Sequence, residues 1–315
     1  MTPFMRMRES VRNLIRAHEI AFDRIGHGFI MLVCLAAIAW GFPFAGGIDS
    51  VWVILVLSVL GMFMPFSAQA LLVIVFLLVN LFALSGQIAG VTAVIILAAY
   101  AFCSVFLAQK THYIPGFVAA RLWSAPGIMP MQIALLGSLN EVVVVISGAV
   151  VSFYLQEVHV NAGLLKDGEN QMPVIDFIRE RIIANQMFYV YIFAMIVMFL
   201  AVYTIRSMNI AHSWGISVVG GTAAEFLILL SGYLLIGSRK NIPMLILGNI
   251  VVLLVGAATN YLYRDFDYTR TEKVQFEDDD YYYYVTAVPK IRLTEEKKEV
   301  KTINRVSKTR RGRGK

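Results

Sequence analysis

Charged side chains are scarce: Asp, Glu, Lys and Arg make up 15% of the 315 residues, against 58% hydrophobic ones, and the mean hydropathy is +0.68. Soluble domains carry about 25% charge, so most of this chain is not built to be solvated. Cysteine is rarer still. Cys34 and Cys103 both lie inside apolar runs, where a thiol acts as a small hydrophobe, and two such residues imply no disulfide framework. Catalytic signatures are missing as well. There is no G-x-x-x-x-G-K-[ST] loop, no H-E-x-x-H helix, no G-x-S-x-G elbow and no paired aspartates in the setting of an intramembrane protease. Nucleotide hydrolysis and the common hydrolase chemistries therefore have no anchor, and no enzymatic activity, cofactor or metal site is expected, an intramembrane enzyme acting on lipid-linked substrates being the motif-free alternative. An ATP-driven role would need a separate ATPase subunit.

What the chain does have is one apolar run after another. Phe29 to Phe44, Val51 to Phe66, Ala68 to Ser85 and Ala89 to Leu107 follow in quick succession, and Met131 to Gln156, Met187 to Ile205, Ser213 to Ile236 and Met244 to Tyr261 come later. Each approaches the ~20 residues that cross a ~30 Å hydrocarbon core. Gly, Pro and Ser mark the joints GFPFAGGID, MPFSAQ and LSGQIAG. The expectation is an all-α membrane protein of about eight transmembrane helices, with a bundle over 28–262, an N-terminal amphipathic helix over 1–27 and a charged tail over 263–315. In the first of these flanks Val11, Leu14, Ile15, His18 and Phe22 recur at helical spacing, with Arg6, Arg8, Arg12, Arg16 and Arg24 largely on other faces, as on a membrane surface.

One stretch breaks the pattern. Between Gln109 and Pro130, Pro115, Pro126 and Pro130 interrupt any regular helix, and Lys110 and Arg121 add charge. It is expected to be an interfacial helix anchored by Tyr113 and Trp123, with a re-entrant half-helix inside the bundle as the alternative. The longest polar connection, Glu157 to Gln186, reads as a loop followed by a surface helix on which Ile175, Ile178 and Ile182 share a face.

Ionisable groups inside apolar runs carry the functional expectation. Glu225 sits mid-run beside Gly220, Gly221 and Ala224, which allow a neighbouring helix or water to come near, and Asn140-Glu141 falls about a third of the way along Met131 to Gln156. A carboxylate at the centre of a spanning helix costs about 2.5–3.5 kcal/mol on insertion scales. Such a residue marks an ion, proton or substrate pathway. Glu225, Glu141 and Asn140 are thus the candidate pathway residues of a transport or permease-type subunit. The alternative is a non-catalytic scaffold whose tail recruits a cytoplasmic partner.

The net charge of +6 comes from the two ends: residues 1–27 hold five Arg against three acids, and residues 263–315 hold fourteen basic residues against ten acidic. The Lys/Arg bias predicts a cell-membrane protein with both termini cytoplasmic and Asn161 to Pro173 outside. The bilayer is its surrounding; a specific nucleic acid is not expected. In the tail, Glu277 to Asp280 form an acidic block, Ser307 to Lys315 a basic end, and Tyr281 to Leu293 read as an extended strand without a hairpin partner. Tyr281, Tyr282, Tyr283 and Tyr284 are the candidate partner-binding residues, ordering by strand addition to another protein. The run FEDDDYYYYVTAVPKI after a polytopic core resembles the ending of an uncharacterised family of multi-span membrane proteins of Gram-positive anaerobes, some labelled transporter permease. That resemblance implies a bacterial cytoplasmic-membrane protein and no site residues.

Overall fold

In hydrocarbon every backbone N–H and C=O must find its partner inside the protein, and runs of Leu, Ile, Val and Ala meet that demand as helices. The computed structural model describes residues 14–15, 17–106, 108, 110–166, 173–208, 212–237, 241–263, 272–277 and 282–287. Its helices of nine residues or more are α1 (Glu19–Gly41), α2 (Val51–Gly61), α3 (Phe66–Leu84), α4 (Gly86–Val105), α5 (Ile114–Leu122), α6 (Ile128–Leu136), α7 (Val142–Val160), α8 (Gln186–Ser207), α9 (Ser213–Ile236) and α10 (Ile242–Tyr263). Seven of them, α1, α3, α4 and α7 to α10, are long and apolar enough to span a membrane. This is an all-α, multi-pass membrane fold. Large side chains such as Leu235 and Trp52 stand 87% and 79% exposed, which only a lipid surround makes tolerable.

Side-chain contacts define two faces. On one, the His27 ring stacks on Phe66 at 3.9 Å and Phe66 on His112 at 5.4 Å. On the other, the Gly41 carbonyl accepts from His159, and the Ala45 N–H donates to Asn80 at 3.3 Å. Asn80 of α3 accepts from that loop N–H and donates to Phe76 O in its own helix at 3.1 Å. Helix α7 is the central pillar, with 67% of its span buried against 28–44% for the other spans.

Two expectations about the spans are corrected here. The run Val51 to Phe66 was expected to cross, but α2 has 11 residues, about 16 Å at 1.5 Å per residue and roughly half a hydrocarbon core. A turn through Met62 to Met64 completes the return: the Met64 carbonyl lies 2.9 Å from His27 Nδ1, and Gln69 donates to Gly61 O at 2.7 Å. The second correction concerns the proline-rich stretch. It is not interfacial. All of α5 is buried except Arg121, which is half-buried, and α5 and α6 form a re-entrant hairpin. At its base the Lys110 ammonium donates to Leu136 O at 2.7 Å, and midway Gly116 lies against Met129. Ser124 turns the tip with φ of 59°. The prolines fit this shape: Pro115 and Pro130 sit in first helical turns, where no intrahelical N–H is lost, and Pro126 lies in the tip.

The span expected from Met131 is consequently split. Residues 128–136 belong to the hairpin, the chain breaks at Gly137-Ser138, and a 3-10 turn over Leu139–Glu141 leads into α7. At the N-terminal end, α1 runs unbroken through the expected boundary at residue 27, while residues 1–13 lie outside the described residues. The tail residues fall in a separate compact unit, Asp265–Lys315. There β1 (Glu272–Glu277) pairs antiparallel with β2 (Tyr282–Ala287), Phe276 opposite Tyr283 and Val274 opposite Val285. The extended segment therefore has the hairpin partner that it was expected to lack. Tyr281 and residues 288–293 lie outside the described residues, as do Asp278 to Asp280 and Ser307 to Lys315.

Candidate functional site

Helix α9 lies along α8 because it presents small residues: Gly221 admits Val202, and a Cβ at Gly232 would meet Val190 at 2.7 Å. This packing carries Glu225, midway along α9, to 0% exposure. Neither carboxylate oxygen has a hydrogen-bond partner among the described residues. Against it sits the hairpin tip. A side chain at Gly127, the residue before α6, would overlap Glu225 Oε2, and one at Gly248 in α10 would overlap the Ser124 carbonyl. Two absent side chains let the tip wedge between α9 and α10.

The charge beside Glu225 comes from Arg121. Its guanidinium lies 4.2 Å from the Tyr191 ring centroid and 5.8 Å from that of Phe153, and it is near enough to interact electrostatically with both Glu225 and Glu157. Cation–π contact of this kind helps hold an arginine away from water. Glu157, one turn beyond Phe153, also interacts with Arg181 and accepts from Asn161 Nδ2 at 3.3 Å. The Tyr191 hydroxyl is 3.2 Å from Ser152 Oγ. Opposite charges thus alternate from the Gly41 face to the bundle centre: Arg181, Glu157, Arg121, Glu225. Toward the His27 face Met131, Met198, Val202 and Val218 are all buried, and the polar groups there are already bonded: Thr222, one turn before Glu225, donates to Val218 O at 2.8 Å, and Thr259 donates to Gln132 at 3.0 Å.

The hairpin base is a different kind of place. Helix α6 ends there, and its carbonyls are met by cations: Arg206 donates to Leu135 O and, at 3.2 Å, to Gly137 O, and Lys110 donates to Leu136 O. Cations suit a helix C-terminus because they complement both its orphan carbonyls and its dipole. Glu141 accepts from the Lys110 backbone N–H at 3.2 Å. Burial pushes the Lys110 ammonium below its ordinary range, with Glu141 pulling against that and Arg206 adding to it.

Of the residues singled out from sequence, Glu225 is central and Glu141 is buried, but they are not together. Glu141 lies at the base and Glu225 at the tip, the length of a nine-residue helix apart, about 13 Å. Glu141 falls at the very start of its span, Leu139–Val160, where it ends the 3-10 turn that precedes α7, and Asn140 beside it is exposed. Tyr282, Tyr283 and Tyr284 lie on β2. Sequence reasoning missed Arg121, Tyr191, Gly127 and Gly248. A lone charge in the otherwise apolar IPGFVAARL was the available signal for the first; nothing local distinguishes the other three. The site can hold a proton or a small ion at a carboxylate, a guanidinium and a helix N-terminus, and no cluster of metal-ligating side chains exists among the described residues. Comparison with protein-family models, curated proteins and solved structures finds no match.

Proposed function

We propose that this chain is a transport or permease-type protein of the cell membrane in which Glu225 is the titrating station of a polar pathway. The observation that carries the reading is a fully buried carboxylate without a hydrogen bond, held against the tip of a re-entrant hairpin. Discontinuous helices meeting near the bilayer midplane are the usual way for a membrane protein to bring backbone dipoles to a cargo, and an intramembrane carboxylate without a structural partner suits proton or ion movement. With no nucleotide-binding motif in the sequence, the driving force is an ion gradient or a separate ATPase. The Lys/Arg bias supports both termini in the cytoplasm and the Gly41 face outside; in intact cells an impermeant thiol reagent should label Gly163→Cys and not Gly312→Cys.

The test of the pathway is proton movement in proteoliposomes that enclose a pH-sensitive dye. The wild-type protein should dissipate an imposed pH gradient. Glu225→Gln, inserted to the same level, should not, and a rate equal to wild type would return Glu225 to a structural role.

A scaffold role is the second reading, favoured by the β1–β2 hairpin. A two-stranded sheet is marginal alone in water and has open edges on which a partner strand can add. Deleting residues 265–315 separates the readings: proton movement survives the deletion if the bundle transports, and a soluble partner bound by the intact protein is lost if the tail recruits.

A further inference from the structure

We propose that the tip of the α5–α6 hairpin is a binding site for a small monovalent anion, a halide or a short carboxylate, and that the Glu225 carboxylate is its built-in occupant, giving way when it takes up a proton. This rests on the transport reading and names its cargo class.

The argument begins with what faces the carboxylate. Helix α6 has nine residues; in its first turn the Ile128 N–H is taken by Ala125 O at 3.2 Å and Pro130 has none, which leaves the Met129 N–H and the helix dipole to present partial positive charge to the bundle centre. No side chain intervenes, because the residue between them is Gly127. From α5 comes the Arg121 guanidinium, from α8 the Tyr191 hydroxyl, from α9 itself Tyr233, and from α7 Glu157, acting through Arg121. Helices α6 and α10 contribute no charged residue. The local field at the tip is therefore positive. A metal cation or an ammonium group would meet a guanidinium and a helix N-terminus of its own sign, whereas an anion meets two complementary groups in a region of low polarity, where like-charge contacts are costly.

The charge balance then dictates coupling. With Glu225 ionised, Arg121 is neutralised from one side by Glu225 and from the other by Glu157, which Arg181 also engages. Once Glu225 Oε1 or Oε2 carries a proton, Arg121 and the helix N-terminus keep their positive potential and lose its counter-charge. An anion at that position restores neutrality. Proton and anion thus raise one another's affinity, as linkage requires of two ligands that share a site. They bind as a pair, one proton on Glu225 and one anion beside Arg121, approaching from the face with Glu157 and Arg181, with Met131, Met198, Val202 and Val218 closing the other side.

Full-length protein in proteoliposomes, given chloride or formate under an imposed pH gradient, tests this. Wild-type uptake of at least one of the two probes should grow as the outer pH falls, approaching about tenfold per pH unit where Glu225 is mostly ionised, with protons moving alongside. Glu225→Gln, a permanently neutral side chain, should still take up the anion but with no dependence on pH and no accompanying proton. Arg121→Gln should lose at least tenfold of the uptake, and Arg121→Lys, which keeps the charge, should retain part of it; that pair separates loss of the cation from loss of the fold. Unchanged uptake in Arg121→Gln overturns the anion site. So does wild-type proton movement that ignores both chloride and formate, an outcome that leaves the Glu225 pathway standing. Neither protons nor anions moved by the wild type would remove both readings.

Discussion

The base and the tip of the α5–α6 hairpin are built from the same materials and put them to opposite uses. At the base, Lys110 and Arg206 meet the terminal carbonyls of α6 and Glu141 accepts from Lys110 N–H, so the charges there complete the hydrogen bonding of a helix end. At the tip, the start of that same helix faces a carboxylate that no donor reaches. A buried polar group left unpaired costs about 1–3 kcal/mol, more when charged. The base therefore contributes stability, and the tip subtracts it. A cost kept at one end of an element that is fully satisfied at the other marks the tip as the place where the fold serves something besides its own stability.

Breaking the base should have the largest effect. Arg206→Ala leaves the carbonyls of Leu135 and Gly137 without their donor, at about 1–3 kcal/mol each; the detergent-solubilised variant should melt well below wild type in a thermal-shift assay, and an unchanged melting temperature would mean that the base does not hold the hairpin. Next comes crowding the tip. Gly248→Val places a branched side chain on the Ser124 carbonyl and should cost about 1–3 kcal/mol, as overpacking does, while leaving a cysteine at position 139, near the base, as reactive as in the parent.

The tip's carboxylate should behave in the reverse sense. Glu225→Gln removes a buried charge without changing shape and should leave the melting temperature within a degree or two or raise it; a destabilisation as large as that of Arg206→Ala would mean that Glu225 is structural and erase the contrast between the two ends. The smallest effect belongs to His112, stacked on Phe66 and tilted against Tyr113 beside the base. Burial lowers its imidazole below the ordinary range, Lys110 lowers it further and Glu141 opposes both. Since the folded state holds the proton less well than the unfolded one, stability should be intact above the ordinary histidine pKa of about 6.5 and fall as the pH drops through it, the loss becoming complete below the folded pKa. Melting curves from pH 7.5 down to 5 should show this decline, and His112→Gln should flatten it.

Much of this molecule was legible before any contact was known, because length and apolarity are local properties. The run Ser213 to Ile236 is α9, residue for residue, and α3, α4, α8 and α10 depart from their expected bounds by two or three residues at most ends. The cost of Glu225 could be read the same way, from one carboxylate in the middle of such a run. Helix α2 was overestimated because the apolar residues continue through Met62 to Met64 as a turn, and composition does not distinguish turn from helix. In the tail, Glu272 to Glu277 gave no strand signal because charge masks the Val274 and Phe276 that pair with β2.

Only the tertiary structure decided what the proline-rich stretch would be. Two nine-residue apolar helices with a break between them satisfy their own backbone equally well on a surface or in a core, so nothing within residues 109–136 chooses. The choice was made elsewhere: Gly148 in α7 makes room for Phe117, Gly248 in α10 makes room for Ser124, and Arg206 in α8 closes the base. The same holds for the two glutamates, which look alike in sequence. Each is a lone carboxylate in an apolar context, and whether it finds a donor depends on groups from other helices. Lys110 happens to reach Glu141, while Glu225 meets a glycine and a helix N-terminus. Burial of a charge is written along the chain; its neutralisation is a property of neighbours, and neighbours exist only once the helices have packed.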